Sequence, residues 1–272
     1  MVDAAHDPGR ARAIDDLPEV GAAAVCMGAF DGVHRGHVKL VETTRAAAHA
    51  LGVASVALVF DPHPDEVIRP GLVVPRLAPL EVNLRWLGEA GIDHPLAVRF
   101  DPALRALEPE AFLAAMAPSI RLRALVMTPE SAFGRARAGT PDAMRAHGRV
   151  AGFELVLAEQ EVDGGAPVSS ARVRAALAGG DVAEATRLLG HLPYLGGSLT
   201  GDGILAELRV PYAAALPGPG RYLADLLMSR GRREVEVTAG GDGRIFVTQG
   251  GPPPGDRGVP IEVVLRERLG AA

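Results

Sequence analysis

The sequence predicts an α/β fold in which a parallel sheet covered by helices is followed by a small β-rich domain. Two observations carry this expectation. Continuous apolar runs recur from Ala22 to Glu159, with helix-like spacing of apolar residues between them. After Tyr194 that rhythm stops, and glycine- and proline-rich stretches punctuate short strand-like pieces.

The runs are AAAVCM (22–27), SVALVF (55–60), PLAV (95–98), ALVM (124–127) and FELVLAE (153–159). Uninterrupted rather than alternating apolar strands belong to sheets buried on both faces, and those sheets are parallel. Val38, Val41, Ala48 and Leu51 mark one face of a helix, and Leu80, Leu84 and Leu87 mark another, with Gly91 placed to end it. SSARVRAALAGG (169–180) and DVAEATRLLG (181–190) continue the helical pattern. Beyond them, REVEVT (233–238) and RIFVTQ (244–249) flank AGGDG as a hairpin, and the Pro-rich GGPPPGD reads as a loop. The expected domains are 15–192 and 193–272, the second barrel-like but short for a full barrel.

Composition narrows the function. The 272 residues are 48% hydrophobic and 22% charged, with net charge −5 and pI near 5.9. That balance gives a globular core and argues against a nucleic-acid partner. Lys39 is the sole lysine, and Cys26 the sole cysteine, so no intramolecular disulfide or cysteine metal site can form. The N-terminus has neither a basic nor an apolar leader pattern, and no apolar run reaches the roughly 18 residues of a membrane span, so a cytoplasmic protein is expected.

Neither GxGxxG nor GxxxxGK[ST] is present. GAFDGVHRGH (28–37) instead passes from strand through a glycine-containing turn into a helix. Free N–H groups and the positive helix end make such a junction an anion site. His34 and His37, three apart, share one face of its first turn and can donate to a phosphate, while Gly36 permits close approach. Two solvent-facing histidines, or a metal pair lacking an obvious third ligand, fit the same spacing. VFDPHPDE (59–66) ends the second strand, with His63 between two stiffening prolines, and also fits a rigid turn. VSSARVR (168–174) opens a helix with Ser169 or Ser170 as its cap and Arg172 and Arg174 in its first turns, which fits plain capping or a second anion site.

Together these stretches resemble the bacterial bifunctional riboflavin kinase/FAD synthetases, whose N-terminal half is a Rossmann-like nucleotidylyltransferase. That family's G-x-F-D-G-V-H-x-G-H is matched by Gly28 to His37, and its T-F-x-P-H-P by Val59 to Pro64. Its F-G-x-x-R-x-G is matched by Phe133 to Gly139, and its S-S-T-x-x-R by Ser169 to Arg174, with Gly180-Asp181 and Leu188-Leu189-Gly190 following. The resemblance implies transfer of AMP from Mg·ATP to FMN, giving FAD and pyrophosphate. It implies that His34 and His37 hold the ATP phosphates and stabilise the transition state, and that Arg174, Ser169 and Ser170 grip pyrophosphate. Gly28, Ala29, Phe30, Asp31 and Gly36 would complete the ATP site. Phe60, Asp61, His63, Pro64, Glu130 and Phe133 would lie toward the flavin. No residue is assigned as a ligand to Mg2+, and no oligomeric state is implied.

The chain departs from the family in three places. Ala171 replaces the threonine of S-S-T, and Thr128-Pro129-Glu130-Ser131-Ala132 replaces G-x-D-F-R. In the C-terminal half, the P-T-A-N that serves the kinase Mg·ATP site becomes Pro211-Tyr212-Ala213-Ala214. The expected consequence is a degenerate kinase module. Transfer to another phosphorylated acceptor, or a non-catalytic nucleotide- or flavin-binding role, are the alternatives.

Overall fold

A computed structural model describes residues 11–201, 206–228, 231–249 and 258–271. The extreme N-terminus and the GGPPPGD stretch lie outside the described residues. The chain forms two compact units, one of residues 11–74 and 80–167, the other of 75–79 and 168 onward.

In the first unit, β1 (Gly21–Gly28), β2 (Ala54–Asp61), β3 (His94–Arg99), β4 (Ile120–Met127) and β5 (Glu154–Leu157) form one parallel sheet. Its order is β3-β2-β1-β4-β5. All five expected strands are present, most a residue or more longer than their apolar runs and β5 shorter. The helices are α1 (Arg35–Leu51), α2 (Pro64–Ile68), α3 (Leu80–Glu89), α4 (Pro102–Ala106), α5 (Pro109–Met116) and α6 (Pro141–Ala151). A hairpin of β6 (Val162–Asp163) and β7 (Ala166–Pro167) closes the unit.

The strands are apolar throughout because both faces are covered. Val25, Val56, Leu58 and Phe60 pack with Phe112, Leu113 and Met116 of α5 and Met144 of α6. Cys26, Ala57 and Val59 pack on the other face with Leu40 and Val41 of α1 and Leu84 and Leu87 of α3. Burial pushes the Cys26 thiol up to about 12, which leaves it inert. The buried stripe of α1 is Leu40, Val41, Thr44 and Ala48, whereas Leu51 is exposed. Thr44 is tolerated there because its hydroxyl donates to the Leu40 carbonyl at 2.8 Å. Gly91, at φ +92, turns the chain out of α3 as expected.

The second unit contains α7 (Ser170–Ala178), α8 (Val182–Leu189) and six antiparallel strands. These are β8 (Tyr194–Thr200), β9 (Ala206–Arg209), β10 (Gly220–Met228), β11 (Gly231–Ala239), β12 (Ile245–Gln249) and β13 (Pro260–Gly270). They close into a barrel in the order β10-β11-β12-β9-β8-β13. The expectation that this segment is short for a full barrel is therefore corrected. β13 pairs with both β10 and β8, and register shifts in the β10–β13 and β11–β12 pairs supply the bend. The β11–β12 hairpin around AGGDG is present. Residues 168–192, placed with the first domain from sequence, pack with the second unit. Val173, Leu177, Ala185, Leu188 and Leu189 form a cluster with Leu77 and Ala215, and Val182 joins the barrel core. No helix among the described residues is long and apolar enough to cross a membrane.

Candidate active site

β1 lies between β2 and β4, where the strand order reverses, and ligands of doubly wound sheets bind beyond the strand ends at this point. The turn leaving β1 is strained. Phe30 sits at φ +47 and Val33 at φ +37, with Gly32 at φ +80 between them. Side chains in this region cost of order 1–3 kcal/mol each and persist where their surroundings over-determine them. Here the Phe30 ring is fully buried, Asp31 is 1% exposed, and the Gly32 N–H donates to Asn83 Oδ1 of α3 at 2.9 Å.

The turn delivers His34 as the N-cap of α1. Its Nδ1 accepts from the His37 N–H at 3.3 Å. Only an unprotonated Nδ1 can do so, which places the proton of the neutral ring on Nε2. The His34 and His37 rings stack 3.7 Å apart at 16°, and Phe30 lies 5.1 Å from His37. His34 is 5% exposed and His37 half-buried, so the pair does not face solvent. His37 Nδ1 is buried without a hydrogen-bond partner. Burial, and then the neighbouring His34, hold His37 well below its ordinary value, so its ring is neutral at pH 7. Among the described residues no cluster of three or more His, Cys, Asp or Glu side chains is placed to hold a metal ion. Arg35, the next residue, pairs with Glu161 and, at 2.9 Å, with Asp163 of β6, while Lys39 reaches Glu159 at 3.4 Å. These ion pairs hold the segment after β5 against the first turns of α1.

At the end of β2, Asp61 precedes Pro62, and His63 caps α2, whose first residue is Pro64. The His63 Nδ1 accepts from the Asp65 N–H at 3.2 Å. Phe60 is buried and meets Phe100 at 5.3 Å and Phe112 at 6.3 Å; Phe112 in turn meets Phe133 at 5.3 Å. The two aromatics expected on the flavin side are thus joined through a third. The segment replacing G-x-D-F-R is a tight turn. The Ser131 hydroxyl donates to the Thr128 carbonyl at 2.8 Å and accepts from its N–H at 3.0 Å. Glu130 is exposed, and its carbonyl accepts from Arg137 at 3.2 Å. Phe133 and Gly139 exchange backbone hydrogen bonds that close the loop between them.

In the second unit Ser169 caps α7 by accepting from the Arg172 N–H at 3.4 Å, and Ser170 is the first helical residue. Arg174 Nε donates to the Pro75 carbonyl at 2.7 Å. Tyr212 accepts the Gly196 N–H of β8 at 3.3 Å, and Ala214 packs against the barrel core.

Residues 17–172 match the model of the FAD synthetase family. The chain belongs to that family. Within the FAD synthetase family it is 32% identical over 179 residues to the bifunctional riboflavin kinase/FMN adenylyltransferase of Escherichia coli K12. That match covers 65% of this chain and 57% of the relative. With the protein of the same name from Pseudomonas fluorescens it is 33% identical over 198 residues, covering 72% of this chain and 63% of the relative. The chain thus spans well under the full length of these relatives. In fold it resembles a Streptococcus pneumoniae structure titled macrolide-efflux protein, with TM-score 0.87, 20% identity, and coverage of 96% of this chain and 90% of that one.

Two features of this FAD synthetase family member escaped the sequence reading. Asn83 lies on the apolar stripe of α3, three residues after Leu80 and four before Leu87, and a polar residue in that stripe was the available signal. Phe100 and Phe112 carry no local signal, because their role arises from packing between distant segments.

Proposed function

We propose that this chain is an FMN adenylyltransferase acting in the cytoplasm, joining the AMP of Mg·ATP to FMN and releasing pyrophosphate. The observation that carries the reading is the stacked His34–His37 pair at the start of α1, in a chain of the FAD synthetase family. An FMN phosphate oxygen attacks the α-phosphorus, a new P–O bond forms, and the bond to the bridging oxygen of the β-phosphate breaks. The FMN phosphate is already anionic near pH 7, with its second pKa near ~6, so no strong general base is needed. Catalysis then rests on alignment and on donors that meet growing charge. His34 serves as such a donor through Nε2–H, its tautomer fixed by the bond at Nδ1. His37, neutral and with an unpartnered Nδ1, completes the pair once phosphate charge arrives. Gly28, Ala29, Phe30, Asp31 and Gly36 form the turn around the nucleotide. Mg2+ enters with ATP as substrate.

On the acceptor side, Phe60, Asp61, His63, Pro64, Glu130 and Phe133 serve the flavin. Ser169, Ser170 and Arg174 hold the leaving pyrophosphate, as the family motif they match implies. Riboflavin phosphorylation is lost. Tyr212, whose hydroxyl accepts a backbone N–H of the barrel, and Ala214, which has no side-chain oxygen, stand where the family's threonine and asparagine would be, and this supports that part of the reading.

The test is incubation with FMN, Mg2+ and ATP, with riboflavin in a parallel reaction. FAD and pyrophosphate are expected from the first and no FMN from the second. Clear ATP binding without FAD overturns the choice of acceptor. That second reading, a different phosphorylated acceptor, draws on the Thr128–Ser131 turn, where family aromatic and arginine side chains are missing.

A further inference from the structure

The amide of Asn83 is 4% exposed, on a helix face otherwise made of Val82, Leu84 and Leu87. Packing does not explain it. Asparagine is a poor helix former, and a buried amide is costly unless it is hydrogen-bonded. Its Oδ1 accepts the Gly32 N–H, 51 positions away in sequence. Gly32 is the midpoint of a turn in which Phe30 and Val33 both hold left-handed backbone, and the residue after Val33 is His34. A turn with two unfavourable residues relaxes unless something outside it fixes it.

We infer that Asn83 is a positioning residue for adenylyl transfer: its carbonyl oxygen fixes the strained Phe30–Val33 turn and thereby the place and tautomer of His34. The inference rests on the adenylyltransferase reading for its kinetic consequence, but not for its structural one. Misplacement of a donor by about 1 Å can cost ~100-fold in rate. Substrate affinity, spread over many contacts, falls much less.

The full-length chain is compared with Asn83→Leu, which suits the apolar stripe and lacks the acceptor, and with Asn83→Asp, which keeps an acceptor oxygen. Three measurements are made: thermal unfolding, FAD formation with separate kcat and KM for ATP, and the 15N shifts of the histidine rings. Asn83→Leu is expected to unfold cooperatively and to lose about 10- to 100-fold in kcat, with KM for ATP changed by less than about threefold. Its His34 signal is expected to leave the single Nε2–H pattern of the parent. Asn83→Asp should recover most of the lost kcat and the single-tautomer signal. Unchanged kcat and ring shifts in folded Asn83→Leu overturn the inference. So does an equal loss in both variants accompanied by equal destabilisation, because that marks a purely structural residue. If Asn83→Leu does not fold, Asn83→Ala takes its place in the same comparison. If the parent chain makes no FAD, the adenylyltransferase reading falls, and the ring shifts alone then decide whether Asn83 fixes His34.

Discussion

Replacing His34 separates its structural task from its chemical one. His34→Ala removes both the α1 cap and the Nε2–H donor. A lost N-cap costs about 0.5–2 kcal/mol, and the 3.3 Å bond here belongs at the lower end of that range. For a domain of this size a loss of ~1 kcal/mol lowers Tm by about 2–4 °C. Loss of one transition-state donor costs about 100- to 1000-fold in kcat, or ~2.7–4 kcal/mol. His34→Asn is the informative partner, since asparagine is among the best N-caps and has no group at the Nε2 position. It should melt at or above the parent temperature and still lose as much kcat as His34→Ala. Calorimetry and a continuous pyrophosphate-release assay on the three chains give both numbers. If His34→Asn keeps kcat within about threefold of the parent, the ring is a cap and nothing more, and the donor role is refuted.

Three further outcomes follow from the same geometry. His37 is held below its ordinary value, so as pH falls below 6.5 the unfolded chain binds a proton that the folded chain refuses. Its contribution to stability is therefore full above 6.5 and declines downward from there. Urea unfolding from about pH 8 to about pH 5 should show this decline, and His37→Gln should flatten it. Tyr212→Phe should destabilise the chain by about 1 kcal/mol in the same assay, because the Gly196 N–H loses its acceptor, and should leave FAD formation unchanged. His63→Asn should keep α2 capped and raise KM for FMN more than it lowers kcat; an unchanged KM removes His63 from the acceptor side.

The parts legible in the sequence are those whose physics is local. Buried parallel strands announce themselves as apolar runs, and a strand–turn–helix anion site is written in ten contiguous residues. Even there, the spacing of His34 and His37 left solvent exposure and metal binding open, and only packing against Phe30 decided the first of these. On α1, Val41 and Ala48 are buried as expected and Leu51 is not, while Thr44 was passed over because it looks polar until its hydroxyl bonds the Leu40 carbonyl. A barrel-like second domain was expected, but its full closure was not legible, because it depends on β13 meeting both β8 and β10 across long sequence separations. The placement of α7 and α8 failed for the same reason. Their apolar faces advertise burial without naming the partner, which proves to be Leu77, Ala215 and the barrel core.

The use of imidazoles as helix caps ties the fold to the chemistry. Asp101, Thr140, Ser169 and Asp181 cap their helices with the oxygen acceptors that do this best. His34 and His63 depart from that habit, and each lies just beyond the carboxyl end of a neighbouring strand, β1 and β2. An imidazole cap does what an oxygen cap cannot. By accepting a backbone N–H at Nδ1 it leaves Nε2 as the only place for the neutral ring's proton, so that forming the helix and choosing the tautomer become one event. Catalytic histidines elsewhere need a carboxylate or carbonyl to set that choice. Here the first turn of the helix supplies an orienting group, so the His37 N–H that begins α1 also gives His34 a defined donor to present to phosphate. The same coupling sets its weakness: a substitution that removes the Nδ1 acceptor frees the helix start and the tautomer together.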